Sequence, residues 1–261
     1  RFFLYLHLMD VHQYLYDTSS ALFGTTYSDV YDNSVRHEDA VVARLLNHLA
    51  DRGYLDRTLI VIAADHGEAF AERGLDGHAK HVYRESTEVP FILSLPFKLE
   101  AGRVISSRSR NVDVWPTVLD LMGLPPLPDT DGRSLLPAIL ASVRGETPPE
   151  EERIATAFLD RRWGSPAHQP VPAVAIAKGD FRFVYSTVGK AAPEEELFNA
   201  GRDPEEMRNV LGEEPEVAAE LRAHAEQFLE PKETAWGVDA PRVHIDEMQL
   251  NQLRALGYEL P

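Results

Sequence analysis

A carboxylate and an imidazole stand side by side at Asp65-His66, directly after the apolar run at residues 59–64. Both side chains can bind the same divalent cation, because carboxylate oxygens and imidazole nitrogens are ordinary ligands of such ions. Gly67 follows them and would allow another backbone segment to approach closely. The pattern therefore predicts a metal site at Asp65 and His66. The short motif also fits another interpretation, in which Asp65 caps a helix and His66 lies on the surface.

Three further side chains could act on an anionic ester. His12, in the Asp10-x-His12 loop, could protonate a leaving group, since the unperturbed histidine pKa of about 6.5 suits an acid near neutrality. His78 and Lys80 supply two potential cations that could bind an anionic substrate if their loop folds back over the end of the strand. Each of these patterns is also compatible with an ordinary packed or solvated polar loop.

The elements that must position these side chains predict an α/β fold. Residues 2–9 are rich in aromatics and typical of a buried strand, and residues 89–95 form another strand that Pro96 closes. The β-branched run at residues 59–64 resembles a strand covered on both faces, as in a parallel sheet flanked by helices. Helices are predicted from Arg36 to Gly53, and from a capping Asp113 through Leu121 to Gly123. The candidate residues follow predicted strands, where ligands of open α/β sheets bind.

The composition changes after residue 140. Residues 142–153 are rich in Pro and Glu, which suits a surface linker, so we predict one domain over residues 1–145 and a second over residues 146–261. The second is predicted to be a small α+β subdomain, in which an antiparallel sheet is covered by a helix. Its strands are expected at 154–159, 173–177 and 181–186, with a turn at Gly179-Asp180 and a helix at 215–229.

Charge and composition exclude several function classes. The net charge of −16, from 42 acidic and 26 basic residues, argues against nucleic acid as a partner, because the charge repels phosphate backbones. The chain has no cysteine, which excludes disulfides, zinc-thiolate sites and thiol nucleophiles within these residues. The longest apolar runs fall far short of the roughly 20 residues of a transmembrane helix, so no such segment is expected. The chain begins at Arg1 inside an apparent structural element, and we interpret it as a piece of a longer protein.

Several motifs recur in an order known from one hydrolase family: the strand and loop through Asp10-x-His12, Tyr31-Asp32-Asn33-Ser34, Asp65-His66-Gly67-Glu68 with Gly77-His78, Asp131-Gly132-Arg133-Ser134-Leu135-Leu136-Pro137, Glu196-Leu197-Phe198-Asn199 with Asp203-Pro204-Glu205, and Leu253-Arg254-Ala255-Leu256-Gly257-Tyr258. Together they resemble the sulfatase family of the alkaline phosphatase superfamily. The resemblance spans nearly the whole chain. It implies an alkaline-phosphatase-like sheet flanked by helices, followed by the smaller subdomain.

The resemblance also implies a role for each candidate residue. Asp65 and His66 would bind one divalent cation, with calcium foremost and manganese or magnesium as alternatives. His12 would protonate the leaving oxygen, His78 would contact the sulfate oxygens, and Lys80 would be a second candidate for that contact. The family's nucleophile is a formylglycine made in a Cys/Ser-x-Pro-x-Arg motif, which this chain lacks. The nucleophile is therefore expected upstream, and these residues alone are expected to be inactive.

Two other functions stay open at this point. A phosphonate or phosphodiester hydrolase, or a phosphoethanolamine-type transferase of the same superfamily, shares several of the motifs, although the segment from Asp131 to Pro137 favours a sulfatase. A non-catalytic binding domain that retained the fold is the other alternative. As a sulfatase, the protein would act on a small-molecule or carbohydrate sulfate ester, and the family resemblance implies a periplasmic or extracellular location.

Overall fold

The structure is a computed structural model that describes residues 2–96, 102–147, 153–161, 171–187, 194–230 and 246–255. These residues belong to two compact units, one made of Arg1–Thr58 with Lys232–Pro261 and the other of Leu59–Pro231. The predicted boundary near residue 145 falls inside the second unit and stays a prediction. Among the described helices, none is both long and apolar enough to cross a bilayer.

The first unit is built around a long helix, α1 (Tyr27–Asp51). The helix begins nine residues before the predicted start at Arg36, because Thr26 and Asp29 form a capping box in which each side chain bonds the backbone of the other residue. It ends as predicted, just before Gly53, whose φ of +67° suits glycine. A 3-10 turn at Leu55–Arg57 follows, and α6 (Glu247–Ala255) belongs to the same unit.

Residues 2–9 do not form the predicted strand. They make no strand pairing with any described residue, and the side chains of Phe3 and Tyr5 are exposed by 72% and 73%. A strand is stabilised by the ladder that it shares with a neighbour, and an apolar run without such a partner does not become a strand. Phe2 packs edge-on against Tyr54 in the same unit, with ring centroids 5.9 Å apart.

The second unit opens with a two-stranded ladder of β1 (Ile60–Ala63) and β4 (Phe91–Ser94). The strands are antiparallel, with Ile60 opposite Ser94 and Ala63 opposite Phe91, so the parallel pairing expected for residues 59–64 is not found in the described part of the chain. A parallel partner needs a crossover along the sheet, whereas residues 64–90 contain only the short ladder of β2 (Ala69–Phe70) with β3 (Asp76–Gly77) and the one-turn helix α2 (Arg84–Thr87). This connection therefore stays at the carboxyl end of β1.

Two short helices continue the unit. A 3-10 turn at Asn111–Asp113 leads into α3 (Val114–Leu121), which ends before Gly123 as predicted, with φ +65° at that glycine. The segment from Asp131 then leads into α4 (Leu136–Arg144).

The buried carboxylate of Asp113 links the start of α3 to the segment that begins at Asp131. The prediction that Asp113 caps α3 is wrong, because its side chain makes no capping hydrogen bond to that helix. It accepts hydrogen bonds from the backbone N–H groups of Arg110 and Arg133, both at 2.9 Å, and from the Arg153 guanidinium at 3.1 Å. Only glycine has room at position 132, because a Cβ there would lie 1.9 Å from the backbone oxygen of Val112. The motif that begins at Asp131 is thus a docking segment for the start of α3.

The C-terminal part of this unit is the predicted antiparallel sheet, and the turn at Gly179-Asp180 is present. Its strands, in spatial order, are β5 (Ala155–Asp160), β6 (Pro172–Lys178), β7 (Phe181–Ser186) and β8 (Glu194–Asn199), and α5 (Pro215–Leu229) follows them. The helix α5 packs against β6 and β7. The fourth strand was not predicted, because three successive glutamates at its start hide the strand pattern.

The sheet is buried on both faces. One face packs Ile176, Phe183 and Leu197 against Leu221 of α5, and all four side chains are at most 1% exposed. The opposite face contacts Val82, which lies in the connection between β1 and β4. Burying one such side chain contributes about 1.5–3 kcal/mol to the stability of the folded state. The sheet is therefore a stable packing surface for the residues that precede α2.

Candidate metal and anion site

The loop after β1 is held in place immediately before the first candidate residue. The backbone N–H of Ala64 donates to the Pro90 carbonyl at 3.4 Å, and the Ala64 carbonyl accepts a hydrogen bond from Asn111 Nδ2 at 2.9 Å. Asp65 is the next residue, and 79% of its side chain is exposed. Its Oδ1 accepts the backbone N–H of His66 at 3.1 Å, which orients the carboxylate toward the imidazole.

The imidazole of His66 has a defined orientation and tautomer. Nδ1 lies 2.8 Å from the carbonyl oxygen of Gly67, and because a carbonyl oxygen can only accept, Nδ1 carries the proton in the neutral ring. The lone pair is then on Nε2, which lies 3.9 Å from Asp65 Oδ1. Asp65 and His66 would together hold one divalent cation, since carboxylate oxygens and imidazole nitrogens are ordinary ligands of such ions. A metal-binding histidine commonly donates its other N–H to a carbonyl, so the donor set fits the cation.

Gly67 allows a close approach of backbone, as the sequence predicted. Its N–H donates to the Ser86 carbonyl at 2.9 Å, and a Cβ on Gly67 would lie 2.2 Å from the carbonyl oxygen of Glu85. The segment around α2 therefore packs directly against the peptide that follows His66.

We expect Gly67→Ala to destabilise the fold by about 1–3 kcal/mol, because the added methyl group overlaps a backbone oxygen that cannot move independently. Denaturant unfolding at equilibrium measures the loss. Gly212→Ala is the matched control, since a Cβ at Gly212 meets no atom within 4 Å. Equal changes in both variants would contradict the packing argument.

The short ladder of β2 with β3 brings His78 to the same place. Ala69 pairs with Gly77, so Glu68 and His78 are the next residues beyond that pair. His78 Nδ1 lies 3.0 Å from Glu68 Oε2, and the His78 ring stacks on His66 with centroids 4.2 Å apart and an interplanar angle of 24°. The Glu68 side chain is only 4% exposed. Its role in orienting His78 was not predicted, because it depends on the register of the ladder.

The side chain of Lys80 bonds to its own loop. Its Nζ donates to the carbonyl of Asp76 at 2.6 Å, within its own loop, and the side chain is exposed. The proposed contact of Lys80 with a substrate anion stays a prediction.

His12 lies in the first unit, on an exposed turn at residues 10–14. Backbone bonds from Gln13 to Met9 and from Leu15 to Asp10 close the turn. The N–H of Val11 donates to a carboxylate oxygen of Glu38 on α1 at 3.3 Å, which ties the turn to that helix. The predicted role of His12 as an acid stays a prediction.

His81 is a further histidine of the second unit. It is buried, with Nδ1 3.2 Å from Ser86 Oγ, and burial lowers the pKa of its imidazole. Because the ring is buried and bonded to Ser86, His81 supports the segment around Ser86.

Comparisons with known proteins decide the family. The model of the sulfatase family matches residues 1–124, and the model of the C-terminal region of N-sulphoglucosamine sulphohydrolase matches residues 76–233, more than half of the chain. The chain belongs to the sulfatase family. An N-acetylglucosamine-6-O-sulfatase of Bacteroides thetaiotaomicron is 32% identical over 189 residues, which are 71% of this chain and 32% of the relative. A choline-sulfatase of Rhizobium meliloti is 29% identical over 222 residues, 84% of this chain and 39% of that one.

Similar solved structures confirm the α/β class and the C-terminal antiparallel sheet. BT4656 in complex with D-glucosamine-2-N,6-O-disulfate has a TM-score of 0.64 and 30% identity, over 77% of this chain and 40% of that chain. A phosphonate monoester hydrolase of Silicibacter pomeroyi has a TM-score of 0.61 and 27% identity, with the same coverage. The chain thus spans about a third of the length of most curated relatives that it matches.

Proposed function

We propose that the full-length protein hydrolyses sulfate esters with a bound divalent cation, and that Asp65 and His66 hold that cation. The observation that carries the proposal is the paired geometry of these residues: Nε2 of His66 lies 3.9 Å from Asp65 Oδ1, while Nδ1 is fixed on a backbone carbonyl. Calcium is the proposed ion, with manganese and magnesium as alternatives because one ligand is an imidazole. When bound, the cation would act as a Lewis acid on the ester oxygens.

His78 is proposed to contact the sulfate oxygens. Glu68 accepts a hydrogen bond from Nδ1, and this bond orients the ring. In its protonated form the ring would donate from Nε2 and offset the negative charge that develops on the oxygens. Lys80 is proposed as a second cation for the same group, after release of its bond to Asp76.

We further propose that the nucleophile is a formylglycine outside these 261 residues and that the substrate is a sulfated carbohydrate. Support for the substrate class comes from the relative named as an N-acetylglucosamine-6-O-sulfatase and from the structure of BT4656 with a sulfated glucosamine. The test is hydrolysis of N-acetylglucosamine-6-sulfate by the full-length protein, abolished by EDTA and restored by calcium or manganese. Turnover that is insensitive to chelation would contradict the metal proposal.

His12 is proposed as the acid that protonates the leaving oxygen. We expect His12→Ala to slow sugar sulfates by about 10²–10⁴-fold but to slow nitrophenyl sulfate far less, because an activated phenolate needs little protonation. Steady-state rates on both substrates measure the difference. His7→Ala is the control, since His7 precedes the turn and has no proposed role. Equal losses on the two substrates would show that His12 is not the acid.

Phosphonate monoester hydrolysis is the second candidate function, because the hydrolase from Silicibacter pomeroyi has nearly the same structural similarity as BT4656. Assays of nitrophenyl sulfate and nitrophenyl phenylphosphonate on one preparation distinguish the two. A kcat/KM that favours the phosphonate would reverse the assignment.

A further inference from the structure

Arg182 on β7 connects the C-terminal sheet to the segment around α2. Its side chain is 7% exposed, and its guanidinium bonds three different side chains. Nη1 donates to Thr87 Oγ1 at 2.9 Å, Nη2 donates to Glu88 Oε1 at 3.0 Å, and Nε lies 3.0 and 2.9 Å from the two carboxylate oxygens of Glu206. Only a planar fork of N–H donors can satisfy all of these partners at once.

Glu206 is the second anchor of this arrangement. It is 1% exposed and has a φ of +52°, a left-handed conformation that is costly for a residue with a side chain. Its carbonyl accepts a hydrogen bond from Arg73 Nη1 at 2.6 Å, while Arg73 Nε donates to Glu85 Oε1 at 3.1 Å. The carboxylate and the carbonyl of one residue therefore hold two arginines, and both arginines reach residues 85–88.

Residues 85–88 in turn hold the peptide that follows His66. The Ser86 carbonyl accepts the Gly67 N–H, and the Glu85 carbonyl lies against the Gly67 Cα. The Gly67 carbonyl is the group that fixes Nδ1 of His66. Direct contacts thus run from the C-terminal sheet to the imidazole of a proposed metal ligand.

We propose that Arg182 and Glu206 are positioning residues for the loop Asp65-His66-Gly67, so that the C-terminal sheet sets the geometry of the candidate metal site. The metal part of this inference rests on the proposed function, whereas the positioning of Gly67 does not. Substituting a residue that orients a metal ligand typically lowers metal affinity by about 10–100-fold.

Arg182→Lys separates positioning from stability. Lysine keeps a positive charge beside Glu206 but cannot bond Thr87 and Glu88 at the same time. The matched control is Arg222→Lys, because Arg222 on α5 bonds both carboxylate oxygens of Glu195 on β8, at 2.7 and 2.5 Å, and neither residue belongs to the segment around α2. Both variants are made in the full-length protein.

Hydrogen exchange of the Gly67 amide is the first measurement, in the absence of added metal. We expect exchange at least about tenfold faster in Arg182→Lys and unchanged in Arg222→Lys, since exchange reports opening of the bond to Ser86. Glu88→Gln, on an exposed side chain, is a milder second variant and should accelerate the same amide by a smaller factor. An unchanged Gly67 amide, or equal acceleration in the control, would overturn the proposal.

Manganese affinity, measured by calorimetry, is the second measurement. The expected result is about tenfold weaker binding in Arg182→Lys and native affinity in Arg222→Lys. Equal weakening in both variants would overturn positioning of the metal loop. If the unaltered protein binds no manganese or calcium while the Gly67 amide behaves as expected, the proposed metal function fails and the positioning of the loop stands.

Discussion

Asp65→Asn should lower turnover of sulfate esters at least tenfold and weaken calcium or manganese binding by a similar factor. Asparagine has nearly the same shape, and its side-chain oxygen can still accept the backbone N–H of His66 at the position where Asp65 Oδ1 accepts it. The substitution therefore removes the negative charge that offsets the cation and leaves the loop in place. Calorimetric titration and steady-state rates over a range of metal concentration measure the two effects.

Asp76→Asn is the control for this experiment. Asp76 lies on β3 in the same connection, and its side chain is exposed, so the variant makes the same change of net charge without altering a proposed ligand. We expect native affinity and turnover in the control. If Asp65→Asn also retained both, Asp65 would not be a metal ligand, and the proposed cation would have to be held by other residues.

The sequence predicted the part of the site that is local in the chain. Asp65 and His66 are adjacent and follow an apolar strand, so their side chains emerge together whatever the rest of the fold does. The close backbone approach at Gly67 was also predicted, since a glycine after two candidate ligands leaves room for another backbone segment. Glu68 and His78 are ten residues apart, and their contact follows from the pairing of Ala69 with Gly77, which no residue pattern specifies.

Long-range support for the site was beyond what the sequence could predict. Arg182 and Glu88 are 94 positions apart, and nothing in the residues around Arg182 distinguishes it from an exposed arginine on a strand. The helix α5 and the hairpin of the C-terminal sheet were predicted well, because periodicity and the Gly179-Asp180 turn are local signals. Residues 2–9 show the opposite case, in which a strong apolar pattern does not form a strand in the described part of the chain.

Asp113→Ala should cost about 3–5 kcal/mol of unfolding free energy, the range for removing one partner of a buried ion pair. The carboxylate is fully buried, and its loss would leave the guanidinium of Arg153 and the N–H groups of Arg110 and Arg133 without their acceptor. Equilibrium denaturation by urea measures the loss. Asp120→Ala is the control, because Asp120 bonds Ser134 on the exposed side of α3 and should cost less than about 1 kcal/mol.

The same variant should also weaken metal binding, because Asp113 ends the 3-10 turn that begins with Asn111. Asn111 donates to the Ala64 carbonyl, immediately before Asp65, so loosening of the turn frees the backbone from which the first ligand projects. Asn111→Ala removes that bond and leaves the Asp113 carboxylate with its partners, and it should lower metal affinity with little loss of stability. Strong destabilisation of Asp113→Ala, together with native metal affinity in both variants, would contradict this prediction. Asp113 would then stabilise the fold without affecting the metal site, and the 3-10 turn would not position Asp65.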